Sequence, residues 1–265
     1  MNNLDIYCVT NKKIDFLEKT NLKLVGVGNE DFTKEYLRCD NEKNIYYKEK
    51  YYSELTFHYW YWKNILPIEK KEWIGFCQKR RFWIKPNENK NLISAQNLNE
   101  FLLTNIDEKF NSYESFICDP INISGAKKMK IIKRGWKNLI KDPSIIFNHD
   151  KQTISLHFDM HHGYKNLDRA IELLDKKNKE DFLHYVKTKN YYNPHIMVIA
   201  RPHILEKWFK ELFTWLEKCE EVFGFNKLKG YDTQRLYAYL AERYLSFWFK
   251  KHTKFKTNPW IFIDF

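Results

Sequence analysis

Short apolar runs alternate with segments of helical period along the first 200 residues, and this alternation restricts the chain to an α/β sheet. Leu4–Thr10 (LDIYCVT) and Leu22–Gly28 (LKLVGVG) are rich in β-branched or aromatic residues and predict buried strands. Tyr51–Leu66 (YYSELTFHYWYWKNIL) places Leu55, Tyr59 and Trp62 at helical spacing, with Ser53 as N-cap and Pro67 as the stop. Trp73–Lys79 predicts a strand running into Arg80 and Arg81, and Ser115–Cys118 one ending on Asp119-Pro120. Asn99–Phe110 has a helical apolar face, and Pro194–Ala200 (PHIMVIA) predicts a later strand.

The last third changes character. Leu205, Trp208, Leu212, Trp215, Leu216, Cys219 and Val222 recur at three- and four-residue steps over His203–Phe223, and Leu236, Leu240, Tyr244, Phe247 and Trp248 repeat the pattern over Gln234–Lys250. The residues therefore predict an open α/β sheet with a helical cap. With no repeat and no low-complexity linker, residues 1–265 are expected to form a single domain: an α/β core over about 1–200 and a helical C-terminal part over about 201–265.

Lys and Arg outnumber Asp and Glu by 45 to 34, a net charge of +11 that favours an anionic partner without choosing one. An AT-rich genome, which favours Lys and Asn, accounts for the excess equally well. A nucleic-acid-binding protein is the runner-up class, because aromatic residues make up 17% of the chain and can stack on bases. The basic residues interleave with acidic ones, however, and no zinc finger, RNP signature or Lys/Arg tract is present, so the expectation is no nucleic-acid partner.

The five cysteines contain no CxxC pair, which fits a reduced, cytoplasmic chain. No leader peptide and no run of eighteen apolar residues are seen, so contact with the inner face of an inner membrane is expected to be peripheral. No segment stands out as a basic amphipathic face.

Open α/β sheets bind ligands at the carboxyl ends of their strands, so Gln78-Lys79-Arg80-Arg81 is the most informative local feature. Two guanidinium forks and an ammonium there suit a diphosphate; the same residues also read as a solvated basic turn. Asp119, at the next strand end, is a lone carboxylate compatible with a divalent cation or a turn cap. His157, Asp159, His161 and His162, with Asp168 opening the following helix, offer a general base but match no zinc spacing. His161-His162 in a polar loop reads more often as a surface or sugar-contacting pair than as a catalytic one, and Asp168 has a structural role as a charge in the first helical turn. Arg235, Glu242 and Arg243 on the last helix suit either a buried ion-pair network or donor contact.

One ordered series of residues resembles a known family. It runs Asp40, Asn44-Ile45, Tyr52-Ser53-Glu54-Leu55-Thr56, Tyr59-Trp60, Trp62-Lys63-Asn64 and Ile74-Gly75-Phe76-Cys77, leading to Arg80-Arg81. It continues through Asp119, His162, Asn193 with Ile196-Met197, Trp215-Leu216, and Arg235 followed by Ala241-Glu242-Arg243-Tyr244-Leu245. Together these resemble a family of bacterial capsular-polysaccharide and O-antigen glycosyltransferases, first catalogued as a domain of unknown function and including galactofuranosyltransferase-like members. Departures are Gln78-Lys79 where the family has His-Tyr, Asn166 where it has Asp, and Pro194-His195 within its Asn-Met-Phe-Ile-Met.

The resemblance implies a GT-A-like open mixed sheet, a UDP- or GDP-linked sugar donor, and a lipid-linked or polymeric glycan acceptor. It also implies donor or acceptor contacts at Asp40, Asn44, Glu54, Lys63, Asp119, Asn193, Arg235, Glu242 and Arg243. Lys79, Arg80 and Arg81 stand where related folds end a strand in a metal-binding Asp-x-Asp. Cationic side chains are therefore expected to replace the metal at the diphosphate, with Mn or Mg as the alternative at Asp119. The expected base is His162, ahead of Asp168 and Asp159. The altered positions leave a catalytically inactive accessory subunit of polysaccharide assembly as a further alternative.

Overall fold

The computed structural model describes residues 3–265. Its strands are β1 (Leu4–Thr10), β2 (Lys23–Gly26), β3 (Leu37–Arg38), β4 (Trp73–Gln78), β5 (Arg81–Trp83), β6 (Ser115–Cys118), β7 (Ile121–Asn122), β8 (Tyr191–Tyr192), β9 (Val198–Ala200), β10 (Phe255–Asn258) and β11 (Trp260–Phe262). Its α-helices are α1 (Glu49–Tyr52), α2 (Leu55–Asn64), α3 (Leu98–Phe101), α4 (Lys128–Lys141), α5 (Ile154–His162), α6 (Asn166–Ile171), α7 (Lys176–Thr188), α8 (Pro202–Phe223), α9 (Tyr231–Gln234) and α10 (Leu236–His252). Two compact units result, one of residues 3–119, 195–211 and 249–265, the other of residues 120–194 and 212–248.

The first unit is built on a nine-stranded mixed sheet in the order β10-β6-β9-β4-β1-β2-β3, with β5 pairing β4 and β11. β1 is parallel to β2 and β4, and β2 to β3, while β9 runs antiparallel between β4 and β6. β4 is buried along Trp73–Cys77 and β6 throughout, which is why both read as continuous apolar runs and not as alternating ones. Gly75 is required by this packing, because a Cβ there would lie 2.9 Å from Cγ1 of Ile6 and 3.0 Å from that of Ile199. Leu4, Leu24, Trp73, Phe82, Trp83, Phe116 and Ile199 form the core on this sheet, each large side chain contributing roughly 1.5–3 kcal/mol of burial.

Several expected boundaries shift. Ser53 is no N-cap: it adopts φ 51° and ψ −130°, which splits the expected helix into α1 and α2. Asn99–Phe110 is not one helix. After α3 the chain extends, Leu102 bridging Ile84 and the Leu103 amide bonding the Trp83 carbonyl at 3.1 Å, because Leu102 and Leu103 are adjacent and both buried. The Pro194 region becomes strand only at Val198, after His195 takes φ 67°. Beyond α10 the chain returns as β10 and β11 and completes the sheet.

The second unit packs α4 to α7 and α9 with the parts of α8 and α10 it contains, plus the β7-β8 ribbon. Phe182 of α7 lies against Trp215, Tyr244 and Phe247 at ring-centroid distances of 5.0–6.3 Å, and the Trp215 indole donates to the Ala170 carbonyl at 2.8 Å. The expected polar loop at His161-His162 is instead the last turn of α5, capped by the Thr153 hydroxyl, which accepts from the Leu156 amide. α4 corrects a further expectation, since it is a basic amphipathic helix. Its doublets Ile131-Ile132 and Leu139-Ile140 straddle a buried and an exposed stripe, which blurs the pattern in the sequence.

Candidate functional site

The parallel strands β4, β1, β2 and β3 end together, the register aligning Gln78 with Val9, Thr10 with Gly26, and Gly26 with Arg38. Open α/β sheets bind ligands outside this carboxyl edge, so the loops leaving it are the first place to look for a site. Lys79, just beyond β4, donates from Nζ to Oδ1 of Asn11 at 2.6 Å and so ties the ends of β4 and β1. Beyond β2, Gly28 has φ 79°, and its carbonyl accepts from the Tyr46 hydroxyl and from Nη2 of Arg38 at 3.1 Å. Arg38 also reaches Asp40 at 3.4 Å, while its Nη1 is buried without a hydrogen-bond partner. Such an arginine keeps a donor available for an anion.

Of the expected contacts, Lys79 and Asp40 therefore meet this edge, and Glu54 joins it by accepting from Nε2 of Gln78. Asn44 instead shapes its own loop, donating to the Asn41 and Glu42 carbonyls and accepting from the Tyr46 amide. Lys63 lies 3.2 Å over the Trp62 ring. Arg80 occupies the tight turn before β5, its guanidinium paired with Asp264 and 4.8 Å over the Phe262 ring. Arg81 opens β5, 5.4 Å over the same ring and 3.4 Å from Oε1 of Gln78. Nε of both arginines is buried without a hydrogen-bond partner. Asp119 lies two strands from β4 on the same edge, about 10 Å away at ordinary strand spacing. Its amide donates to the Asn258 carbonyl at 3.1 Å. Among the described residues, no three His, Cys, Asp or Glu side chains cluster as a metal site.

A second cluster lies within the other unit. Arg243 is 1% exposed, paired with Glu242, 4.0 Å over the Tyr192 ring, and donates from Nη2 to Nδ1 of His157 at 3.3 Å. Burial and the nearby guanidinium hold His157 neutral, its pKa lowered to about 2. Because its Nδ1 accepts, its proton sits on Nε2. His161 and His162 are the reverse. Nδ1 of His161 lies 2.8 Å from the His157 carbonyl, and Nδ1 of His162 3.0 Å from that of Asp232; a carbonyl only accepts, so both carry the proton on Nδ1 and keep the Nε2 lone pair. Burial, followed by Arg243, lowers the His162 pKa to about 4.

The carboxylates expected near the base are engaged in structure. Asp168 is held by Lys187 at 2.8 Å, and Asp159 accepts from the Lys165 amide at 2.8 Å, with burial raising its pKa. Asn193 is buried and accepts from the Ser246 hydroxyl at 2.9 Å. Arg235 follows α9, half-buried, near Tyr239. The sequence reading missed Arg38, Tyr46 and Asn11 at the edge and Tyr239 against His162. A signal existed for Arg38 alone, in a short apolar run two residues before Asp40.

Comparison with known proteins agrees with this architecture. No curated protein matches the chain. The apo structure of WbbM, a bifunctional glycosyltransferase, superposes with a TM-score of 0.69 at 18% identity, over 99% of this chain and 45% of that one. The chain thus spans less than half the length of that protein, and the likeness is one of fold: a GT-A-like α/β sheet flanked by helices. The family model described as a domain of unknown function, DUF4422, matches residues 5–253, and the chain belongs to that family.

Proposed function

We propose that this chain is a glycosyltransferase that takes a sugar from a UDP- or GDP-linked donor and passes it to a hydroxyl of a growing capsular or O-antigen polysaccharide. The observation that carries the reading is the convergence of Arg38 and Lys79 on the carboxyl edge of a GT-A-like sheet, beside the carbonyl-bearing turn at Gly28. Breaking the bond between the donor sugar and its diphosphate places negative charge on the leaving phosphate, and preorganised cations there stabilise that charge. Lys79 and Arg38 serve this role directly. Arg80 and Arg81 complete the cationic rim, Arg80 in competition with Asp264.

Asp119 is a single carboxylate at the edge, and Asp40 is already paired with Arg38. Mg or Mn held through one carboxylate and the donor phosphates is the alternative this set allows; the proposal is turnover that does not depend on it. Asp40, Asn44, Glu54, Lys63, Asn193, Arg235, Glu242 and Arg243 are proposed as groups that shape donor or acceptor binding. For the acceptor hydroxyl, Nε2 of His162 is the proposed base, since it is neutral with its lone pair free of the Asp232 contact. Asp168 and Asp159 position the segment around it.

A thermal-shift series with UDP, GDP, CMP, dTDP and their sugar conjugates, each with manganese and with EDTA, tests the reading. Stabilisation by one nucleotide class in EDTA, lost in Arg38→Ala and Lys79→Ala, supports it. Absence of a shift with every nucleotide moves the assignment to an inactive accessory subunit.

A further inference from the structure

Helix α4 buries a narrow stripe, Ile131 and Gly135 with Leu139 half-buried, against Ile145, Leu156 and Met160 of its own unit. Gly135 brings it close, since a Cβ there would meet Met160 at 3.4 Å. Beside this stripe a second apolar row faces solvent: Met129 is 73% exposed, Ile132 44%, Trp136 52% and Ile140 72%. Steps of three, four and four residues place these side chains within an arc of about 80° on the helix. Phe147, 77% exposed just after the helix, lies beneath the Lys128 ammonium, 4.9 Å from its ring. Water contact with so contiguous an apolar row is unfavourable unless something covers it.

The charge beside the row identifies the cover. Lys127, Lys128, Lys130, Lys133, Arg134, Lys137 and Lys141 are all exposed, and no acidic residue occurs from Lys127 to Lys141. Arg134 has one exposed counter-charge, Asp232 at 3.4 Å, which contributes little in water. Lys137 and Lys141 lie 5.3 and 5.7 Å from the Tyr164 ring. An apolar row flanked by uncompensated lysines matches a surface that is apolar below and anionic above. Trp at the boundary and lysines whose stems lie along the apolar layer are the groups such a surface accommodates. No helix of the described residues is long and apolar enough to cross a membrane, so α4 would lie in the plane of the surface.

We propose that α4 docks the chain on an anionic phospholipid bilayer, with Met129, Ile132, Trp136 and Ile140 entering the acyl boundary and the lysines meeting the lipid phosphates. The face is complete without a nucleotide, so the proposal stands apart from the transferase reading.

Flotation of the full chain with vesicles tests it, one set of phosphatidylcholine alone and one with phosphatidylglycerol added. The expected result is co-flotation with the anionic vesicles only, weakening as salt is raised. Trp136→Ser with Ile140→Ser, and separately Lys133→Gln with Lys137→Gln and Lys141→Gln, should each lower partition by about tenfold or more. All five side chains are exposed, so the thermal melts of both variants should match the parent. Equal partition to both vesicle sets, no partition to either, or unchanged partition in the variants overturns the proposal. A chain that sediments as a dimer, and becomes monomeric with Trp136→Ser, also overturns it, assigning the face to a second copy.

Discussion

The rings of His162 and Tyr239 stack 3.7 Å apart at an interplanar angle of 20°, while Nδ1 of His162 donates to the Asp232 carbonyl. A protonated imidazole in this position is opposed by burial and by Arg243, so its folded pKa of about 4 lies below the ordinary 6.5. The unfolded chain therefore binds more protons between those values. Stability is fully present above about pH 6.5 and declines as pH falls towards 4, on the order of 2 kcal/mol at pH 4.5 for this group. Burial lowers His157 and His161 in the same direction. His162→Asn keeps a donor for the Asp232 carbonyl and removes the titration. Its melting temperature should fall less steeply than the parent's from pH 7 to 4.5, and an unchanged slope would count against this account.

Arg243 and Glu242 form a pair in which the arginine is almost fully buried. Removing one member of such a pair is costly, whereas replacing both by apolar groups of similar volume is often tolerated. Glu242→Ala alone should destabilise by about 3–5 kcal/mol, and Arg243→Met with Glu242→Leu by clearly less, in urea unfolding. Equal losses in both proteins would show that the pair is not coupled.

Gly75→Ala should destabilise the sheet by about 1–3 kcal/mol through overpacking, because the new methyl would press on Ile6 and Ile199 on either side of β4. Urea unfolding reads the loss. A melt equal to the parent's would mean that β1 and β9 yield without cost.

What the sequence disclosed divides along physical lines. β1, β4, β6, α8 and α10 were legible because each is buried along a sustained pattern, of period near two or unbroken in the strands and of three to four residues in the helices. α1 and α2 read as one helix because the break is a backbone conformation at Ser53, which no residue type there announces. β10 and β11 followed a long helix and were hidden by Lys256 and Thr257, polar groups on a strand that is only partly buried. At the carboxyl edge, Lys79 was visible because it follows an apolar run. Arg38 was not singled out, because its role depends on Gly28 and Tyr46, brought to it by parallel pairing of β2 with β3. The histidines were noticed as a group, but their tautomers follow only from which carbonyl each one faces.

Nucleotide binding in EDTA by the parent, Arg38→Ala and Lys79→Ala tests the central claim most directly. The account predicts a thermal stabilisation of the parent by UDP or GDP that survives the chelator and is lost or strongly reduced in both variants. Binding that requires manganese, or that is undiminished when both Arg38 and Lys79 are replaced, would contradict it.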